Sequence, residues 1–454
     1  MSKFIRLKKG FNINLAGKAE KKIAEVEQPG TFAYKPTSFQ GILRPKLMVA
    51  EGDNVKAGTP ILFDKKNEEV KHVAPVSGEV VEIRRGEKRK LLEVVILADK
   101  KIEYEKFDSH SVSDLTGLSK EQVIGTMLKS GVWPNLIQRP YGIIADHNVT
   151  PKAIFISAFD SNPLAPDYQL LFKGQDQYFQ AGIDLLKKLT PGAIHLNVDA
   201  NAEVSQVFAH TKNVELNKFS GPHPAGNVGV QIHHLDPINK GEVVWTINPY
   251  GVIQIGKLFL EGIYDASKVI AVTGSEVKQP QYYKTYLGAS VKRFLEGNVN
   301  GGKLRYISGN VLTGEKISTE GHLGFFDHMV TVIPEGDHYE LFGWIKPSPN
   351  KFSFQRAFGL LSYLNPNKEY VIDTNTKGQP RAFVQTGVFE RVLPMDILPT
   401  HLIKAILAED FDDMEALGIY EVIEEDLALC EFVDVSKHDV QEIVRTGLDL
   451  MQYS

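Results

Sequence analysis

The side chains able to make or break bonds are few, and their spacing limits what each can do. The one cysteine, Cys430, cannot close an internal disulfide, ligate an iron–sulfur cluster or complete a cysteine-rich zinc site. A lone thiol fits a reducing compartment. Of the 13 histidines, His223 in GPHPAG and the His233–His234 pair in QIHH are the tempting ones. No His-x-x-x-His pair sits on a predicted helix, and adjacent histidines read as strand residues point to opposite faces, so loop or polar-core packing is expected rather than a metal. There is no Gly-x-Ser-x-Gly elbow and no cysteine placed to pair with a histidine base. Gly309-Asn310-Val311-Leu312-Thr313-Gly314-Glu315-Lys316 approaches a phosphate-binding loop, but Glu315 splits the Gly-Lys pair and Ile317 replaces the Mg²⁺-binding hydroxyl. It reads as a hairpin turn. The acidic runs Glu409-Asp410, Asp412-Asp413 and Glu424-Glu425-Asp426 read as solvated helix starts, favoured by the macrodipole. No self-sufficient catalytic set emerges.

The elements that would position these residues fall into four blocks. With 454 residues, length alone suggests about three ordinary domains. The formal charge of −5, from 51 basic and 56 acidic residues, provides no whole-chain field for nucleic acid. The N-terminus is basic without an apolar core, so no signal peptide is expected, and no apolar run approaches the ~20 residues of a membrane-spanning helix. Residues 1–104 read as short strands with Gly52-Asp53 and Gly58-Thr59-Pro60 turns and alternating Val49, Val55, Ile61 and Phe63. A second, similar passage starts at Ala74-Pro75-Val76-Ser77-Gly78. This pattern resembles the biotinyl/lipoyl-type barrel-sandwich fold. A carrier lysine would align with Asn67, leaving Lys65 and Lys66 as a solvated turn, so the module reads as structural.

Residues 105–255 alternate helices (119–133, 177–189) with strands (152–159, 193–198), as in a Rossmann-like α/β layer with a parallel sheet. Ligands would bind at the strand ends, in loops after 159 and around 133–142. The Ser130–Pro140 turn has one glycine and a bulky Trp133-Pro134, so it is a poor phosphate cradle. Residues 256–345 suggest a small β-grasp unit with a turn through Gly297, Asn298, Gly301 and Gly302. Residues 346–454 are expected to be mainly helical, with amphipathic stretches at 398–407, 412–419 and 436–451.

From about residue 6 to about 445 the chain resembles the NqrA family, the A subunits of the Na⁺-translocating NADH:quinone oxidoreductase. The matching segments are IRLKKGFNINLAGK, FDKKNEEVKHVAPVSGEVVEIRRGEKR, FDSNPLAPD, FSGPHPAGNVG, YLGASV, ISGNVLTG, ELFGWIKPSPNKFSFQRAF and EEDLALCEFV. That family is similar to the flavin-bearing subunit of respiratory complex I and the C subunit of the Rnf complex, which carry a glycine-rich flavin loop, a β-grasp (SLBB-like) unit and a four-cysteine cluster domain. Here the corresponding loop holds Trp133-Pro134, and Cys430 stands alone where cluster cysteines would be.

The resemblance implies a translocase component with no activity of its own. It would belong to a respiratory complex coupling electron transfer from NADH to ubiquinone or menaquinone to Na⁺ export. FMN, riboflavin, FAD and iron–sulfur centres would belong to other subunits, this chain would bind no cofactor, and its partners would include the membrane-embedded, flavin-bearing B subunit. It would sit peripherally on the cytoplasmic face of the bacterial inner membrane. The family has been tied to quinone binding, and a quinone needs an apolar slot with one or two donors. Two segments resemble the family's quinone region: Phe39–Met48 and Trp133–Tyr141. Phe39, Met48, Trp133 and Tyr141 would supply walls, and Arg44 and Arg139 donors. The alternative is a docking subunit with no ligand.

Overall fold

The computed structural model describes residues 3–342, 345–348, 350–355, 365, 367–383 and 387–453. Parts of the ELFGWIKPSPNKFSFQRAF segment (343–344, 349 and 356–358) lie outside the described residues.

A seven-stranded sheet forms the centre. Its order is Phe4–Arg6, Glu215–Ser220, Ile194–Asp199, Ile154–Ser157, Val244–Thr246, Ile137–Arg139 and Ile143–Ile144. The first five are parallel; Ile137–Arg139 joins them antiparallel, and Ile143–Ile144 pairs antiparallel with Ile137–Arg139. The inner strands IFIS and IHLNVD are almost wholly buried, as expected of parallel strands covered on both faces. The helix Lys120–Ser130 starts at a capping box between Ser119 and Gln122 and stops at Gly131, whose φ of 79° suits a left-handed cap. On one face Asp176–Leu186 packs tightly against Pro249–Glu261. A Cβ on Gly256 would lie 1.9 Å from the Tyr178 carbonyl oxygen, so only glycine permits that approach.

The N-terminal block is a sandwich of two small sheets. One holds Thr31–Tyr34, Leu91–Ala98, Gly78–Arg85 and Asn54–Val55; the other holds Pro45–Leu47, Pro60–Asp64 and Asn67–Val73. Lys65 and Lys66 form the hairpin tip, and the Lys66 ammonium lies 4.7 Å from the Tyr453 ring. The boundary expected at 104 does not contain everything before it. Phe4–Arg6 joins the seven-stranded sheet, and Ile23–Ala24 joins a fourth, six-stranded sheet with Gln281–Tyr286, Ser267–Thr273, Met329–Pro334, Leu304–Ser308 and Glu315–Ile317. Gly309–Gly314 is the turn of a hairpin in which Ser308 pairs with Glu315, so the near-phosphate loop is a turn, as expected. The C-terminal block is helical: Phe389–Val392, Pro399–Leu407, Phe411–Ala416, Glu424–Val433 and Val440–Tyr453.

Three expectations are corrected. His233 and His234 lie on a helix, Val228–Leu235, not a strand; apolar residues at 228, 230 and 232 mimic a two-residue period. His233 Nδ1 pairs with Glu421 at 2.8 Å while its Nε2 accepts the Asp396 N–H at 2.9 Å. The Ser130–Pro140 turn leads out of a helix into the strand Ile137–Arg139, the reverse of the strand-to-helix order of a phosphate loop. The Glu424-Glu425-Asp426 run does start a helix, but Asp426 is buried rather than solvated, because a buried arginine meets it.

Candidate functional site

Two cavities open on either side of the loop that follows Ile154–Ser157. The larger, about 850 Å³, lies at the carboxyl ends of Ile154–Ser157, Ile194–Asp199 and Glu215–Ser220, where open parallel sheets receive ligands. Its lining is rich in oxygen: Asp160, Asp167, Asp199, Glu203 and Glu369, with amides Asn12, Asn14 and Asn162, against Lys18 and Lys21. Asp167 caps the Tyr168–Leu171 helix by accepting the Gln169 N–H at 2.8 Å and holds Lys21 at 2.5 Å. A carboxylate already occupies the place a phosphate would take. These residues do not fit a dinucleotide or flavin phosphate.

The second cavity, about 400 Å³, is built by all four blocks. The barrel contributes Ser38, Phe39 and Gln40, and the central sheet Ile137 and Arg139. Phe159 and Tyr168 flank the shared loop; Phe326, Asp327, His328 and Met329 come from the six-stranded sheet, and Ile423 and Glu425 from the C-terminal helices. Phe39, Phe159, Tyr168 and Phe326 give the wall its aromatic faces, with polar side chains such as Gln40, Asn162, Asn248 and Asn310 between them. Phe39 sits in a cluster with Phe325 (4.8 Å), Phe326 (5.3 Å), His72 (5.4 Å) and Tyr34 (6.2 Å). Burial lowers the His72 pKa to about 3, and its neutral ring shares a 2.6 Å hydrogen bond with the Tyr34 hydroxyl.

Polar atoms in this second wall are left without partners. Asn135 Oδ1, Arg139 Nε and both ring nitrogens of His328 are sealed from water and make no hydrogen bond. Such groups are rare in folded proteins and each costs about 1–3 kcal/mol. His328 lies edge-on to Tyr250 (5.7 Å) and Phe172 (6.1 Å). Burial first, and the nearby Lys268 ammonium second, hold its pKa far below the usual histidine value. The imidazole is therefore neutral, with one N–H to donate. Lys268, itself buried, donates to the Asp327 carbonyl at 2.7 Å, and burial lowers its pKa to about 8.

The rim is set by ions. Arg139, 1% exposed, donates from Nη1 to Asp426 at 2.5 Å, and its Nη2 lies 3.8 Å from Glu425. Asp426 also accepts the Ile423 N–H at 3.0 Å. The carboxylate lies over Gly229, where a Cβ would come within 2.2 Å of Asp426 Oδ1. Glu425 keeps 39% of its side chain open while lining the cavity. Desolvation, then repulsion from Asp426, raise its pKa to about 7, against the pull of Arg139.

Of the six residues proposed from sequence, Phe39 and Arg139 line this cavity. Trp133 lies one layer behind, fully buried, donating its indole N–H to the Ala145 carbonyl at 2.8 Å and meeting Trp245 edge-on at 5.5 Å. Tyr141 packs edge-on against Tyr420 at 6.3 Å, outside the lining. Arg44 and Met48 (48% exposed) flank the barrel strand Pro45–Leu47 and are not brought to the cavity. His328 and Glu425 are among the lining residues that sequence reasoning does not find. The aromatic pair before Asp327-His328 is a usable signal; for Glu425, an acidic run looks the same whether solvated or buried.

Among the described residues no group of histidines, cysteines or carboxylates could hold a metal ion, and no helix is long and apolar enough to cross a membrane. Burial pushes the Cys430 thiol strongly up, away from the reactive thiolate. Fold and site thus define a multidomain α/β chain whose aromatic-lined cavity forms between its domains, beside a strand-end cleft rich in carboxylates.

Residues 5–99 match the NqrA N-terminal barrel-sandwich hybrid domain, 118–264 the NqrA second alpha/beta domain and 269–319 the NQRA C-terminal domain. The chain is 40% identical over 451 residues to the A subunit of the Na(+)-translocating NADH-quinone reductase of Neisseria meningitidis serogroup A, covering 99% of each chain. It is 40% identical to the same subunit of Serratia proteamaculans, over 98% of each chain, and of Yersinia pestis, over 97% of this chain and 98% of that one. The chain belongs to the NqrA family, the A subunits of the Na⁺-translocating NADH-quinone reductase. Those relatives are components of an oxidoreductase complex that translocates Na⁺.

Proposed function

We propose that this chain is a peripheral subunit that binds a quinone head group in the interdomain cavity and helps assemble the complex. In this reading the flavins and iron–sulfur centres sit on other subunits, the membrane-embedded, flavin-bearing B subunit is the principal partner, and the chain lies on the cytoplasmic face of the inner membrane. The observation that carries the quinone assignment is the set of unpartnered polar atoms in a wall that also presents the rings of Phe39, Phe159, Tyr168 and Phe326. A quinone presents flat apolar faces and two carbonyl acceptors. Phe39, Phe159 and Phe326 match the faces; the unpartnered His328 ring N–H and Arg139 Nε–H match the acceptors once the wall side chains shift to expose them to the ligand. Trp133 and Tyr141 act through the backbone they hold, and Arg44 and Met48 make no contact with the head group.

A second reading, a docking subunit with no ligand, draws on the charge of Arg139 being spent on Asp426. Photoaffinity labelling of the assembled complex with a quinone analogue separates the two. Labels on the Phe39–Gln40 or Phe326–Met329 segments support the quinone site. Labels confined to other subunits leave only the scaffold.

A further inference from the structure

Reduction of a quinone consumes protons as well as electrons, so a site that performs it needs a proton source within reach of a carbonyl oxygen. Three carboxyl groups line the interdomain cavity: Asp160 accepts the Asn162 N–H and Asp327 the Ser308 hydroxyl, whereas Glu425 keeps 39% of its side chain open. Glu425 stands at the start of the Glu424–Val433 helix, opposite the Ile137–Arg139 strand. Resting on the quinone reading above, we propose that Glu425 is a catalytic residue of this cavity, donating a proton to the bound quinone as it is reduced.

The charged surroundings suit both states of such a donor. On its own helix Glu424 and Asp426 disfavour a third negative charge, and Glu424 is itself held by Arg445 at 2.7 Å. From the loop after the central strand, Asp160 adds repulsion, and the Tyr168 phenol is the next titratable neighbour. From the six-stranded sheet, Asp327 and neutral His328 complete the wall. Against these stands the Arg139 guanidinium, whose Nη2 is 3.8 Å from Glu425. The neutral carboxyl is favoured while the site rests, and the carboxylate left after transfer has Arg139 beside it. The raised pKa agrees with that balance.

NADH, oxidised elsewhere in the complex, supplies two electrons and becomes NAD⁺, releasing one proton. One quinone oxygen takes the Glu425 proton and the other takes a proton from water, so both C=O groups become C–OH. The Glu425 carboxylate is then reprotonated from solvent at the cavity mouth.

The test follows reoxidation of the NADH-reduced complex by a short-tail quinone in stopped flow from pH 6 to 9. The wild-type rate should fall about tenfold per pH unit once the pH exceeds the donor pKa. Glu425→Gln should lower the rate at pH 6.5 by about 10²-fold and flatten that limb. Glu425→Asp should restore a pH-dependent rate with the limb displaced, showing that an assembled, ligand-binding cavity needs the acid itself. A Glu425→Gln complex with wild-type rate and limb overturns the role of Glu425. Quinone photolabelling of both complexes keeps the two failures apart. Labelling at the cavity with unchanged kinetics removes only the proton donor, whereas no labelling there removes the quinone site and the proposal with it.

Discussion

The two cavities share a loop, from Ala158 to Tyr168, yet differ in almost everything that decides a ligand. The strand-end cleft is larger, and its carboxylates are mostly committed: Asp160 accepts from Asn162 at 2.7 Å, Asp199 accepts the Asn201 N–H at 2.8 Å and Asp167 holds Lys21. The interdomain cavity is about half that volume, walled by aromatic rings, and keeps several polar atoms unsatisfied. A parallel sheet offers a cleft at its strand ends whatever the sequence, whereas the second cavity exists only because four blocks close around it. Unsatisfied polar groups survive where a ligand rewards them, so volume is the poorer guide to function.

That contrast can be broken in order of expected effect. Arg139→Met leaves Asp426 buried without its cation and should cost about 3–5 kcal/mol in urea unfolding. Arg139→Met combined with Asp426→Leu should recover most of that loss; a single variant as stable as wild type would show that the ion pair does not hold the cavity together.

Acid should act next, through the Phe39 wall. His72 has a folded pKa of about 3 against an unfolded 6.5. The unfolded chain therefore takes up the proton first, and the stability present above pH 6.5 declines as pH falls towards 3. The slope should be about 1.4 kcal/mol per pH unit, visible in denaturant midpoints and reduced in His72→Phe.

His328→Leu should separate stability from function. Removing an unpartnered imidazole should raise stability by about 1 kcal/mol while weakening short-tail quinone binding about tenfold, the equivalent of about 1.4 kcal/mol. Lower stability together with unchanged quinone affinity would make His328 an ordinary structural residue. The smallest effects should come from Asp199→Asn in the strand-end cleft and Arg44→Ala on the barrel edge. Each should change stability by less than about 0.5 kcal/mol and leave quinone affinity within about twofold. A large change in quinone affinity for Asp199→Asn would erase the distinction between the cavities.

Much of the scaffold is legible locally. The buried runs at 154–157 and 194–199, the Ser119 capping box and the 309–314 turn depend on residues within one turn or one strand of each other. Periodicity and capping act over that range, so the sequence alone carries them. His233 and His234 show the limit, since eight residues with apolar positions two apart satisfy either period. The poor phosphate loop is also a local property, and the Asp167-capped helix beside the cleft agrees with it.

The site itself is a tertiary decision. Arg139 and Asp426 meet across 287 residues of chain, and neither residue type announces that it will be buried. Charge burial becomes tolerable only once an opposite charge arrives from elsewhere, and no local pattern encodes that meeting. Phe39 and His328 likewise become wall and donor only when the barrel, the central sheet and the six-stranded sheet close on one another.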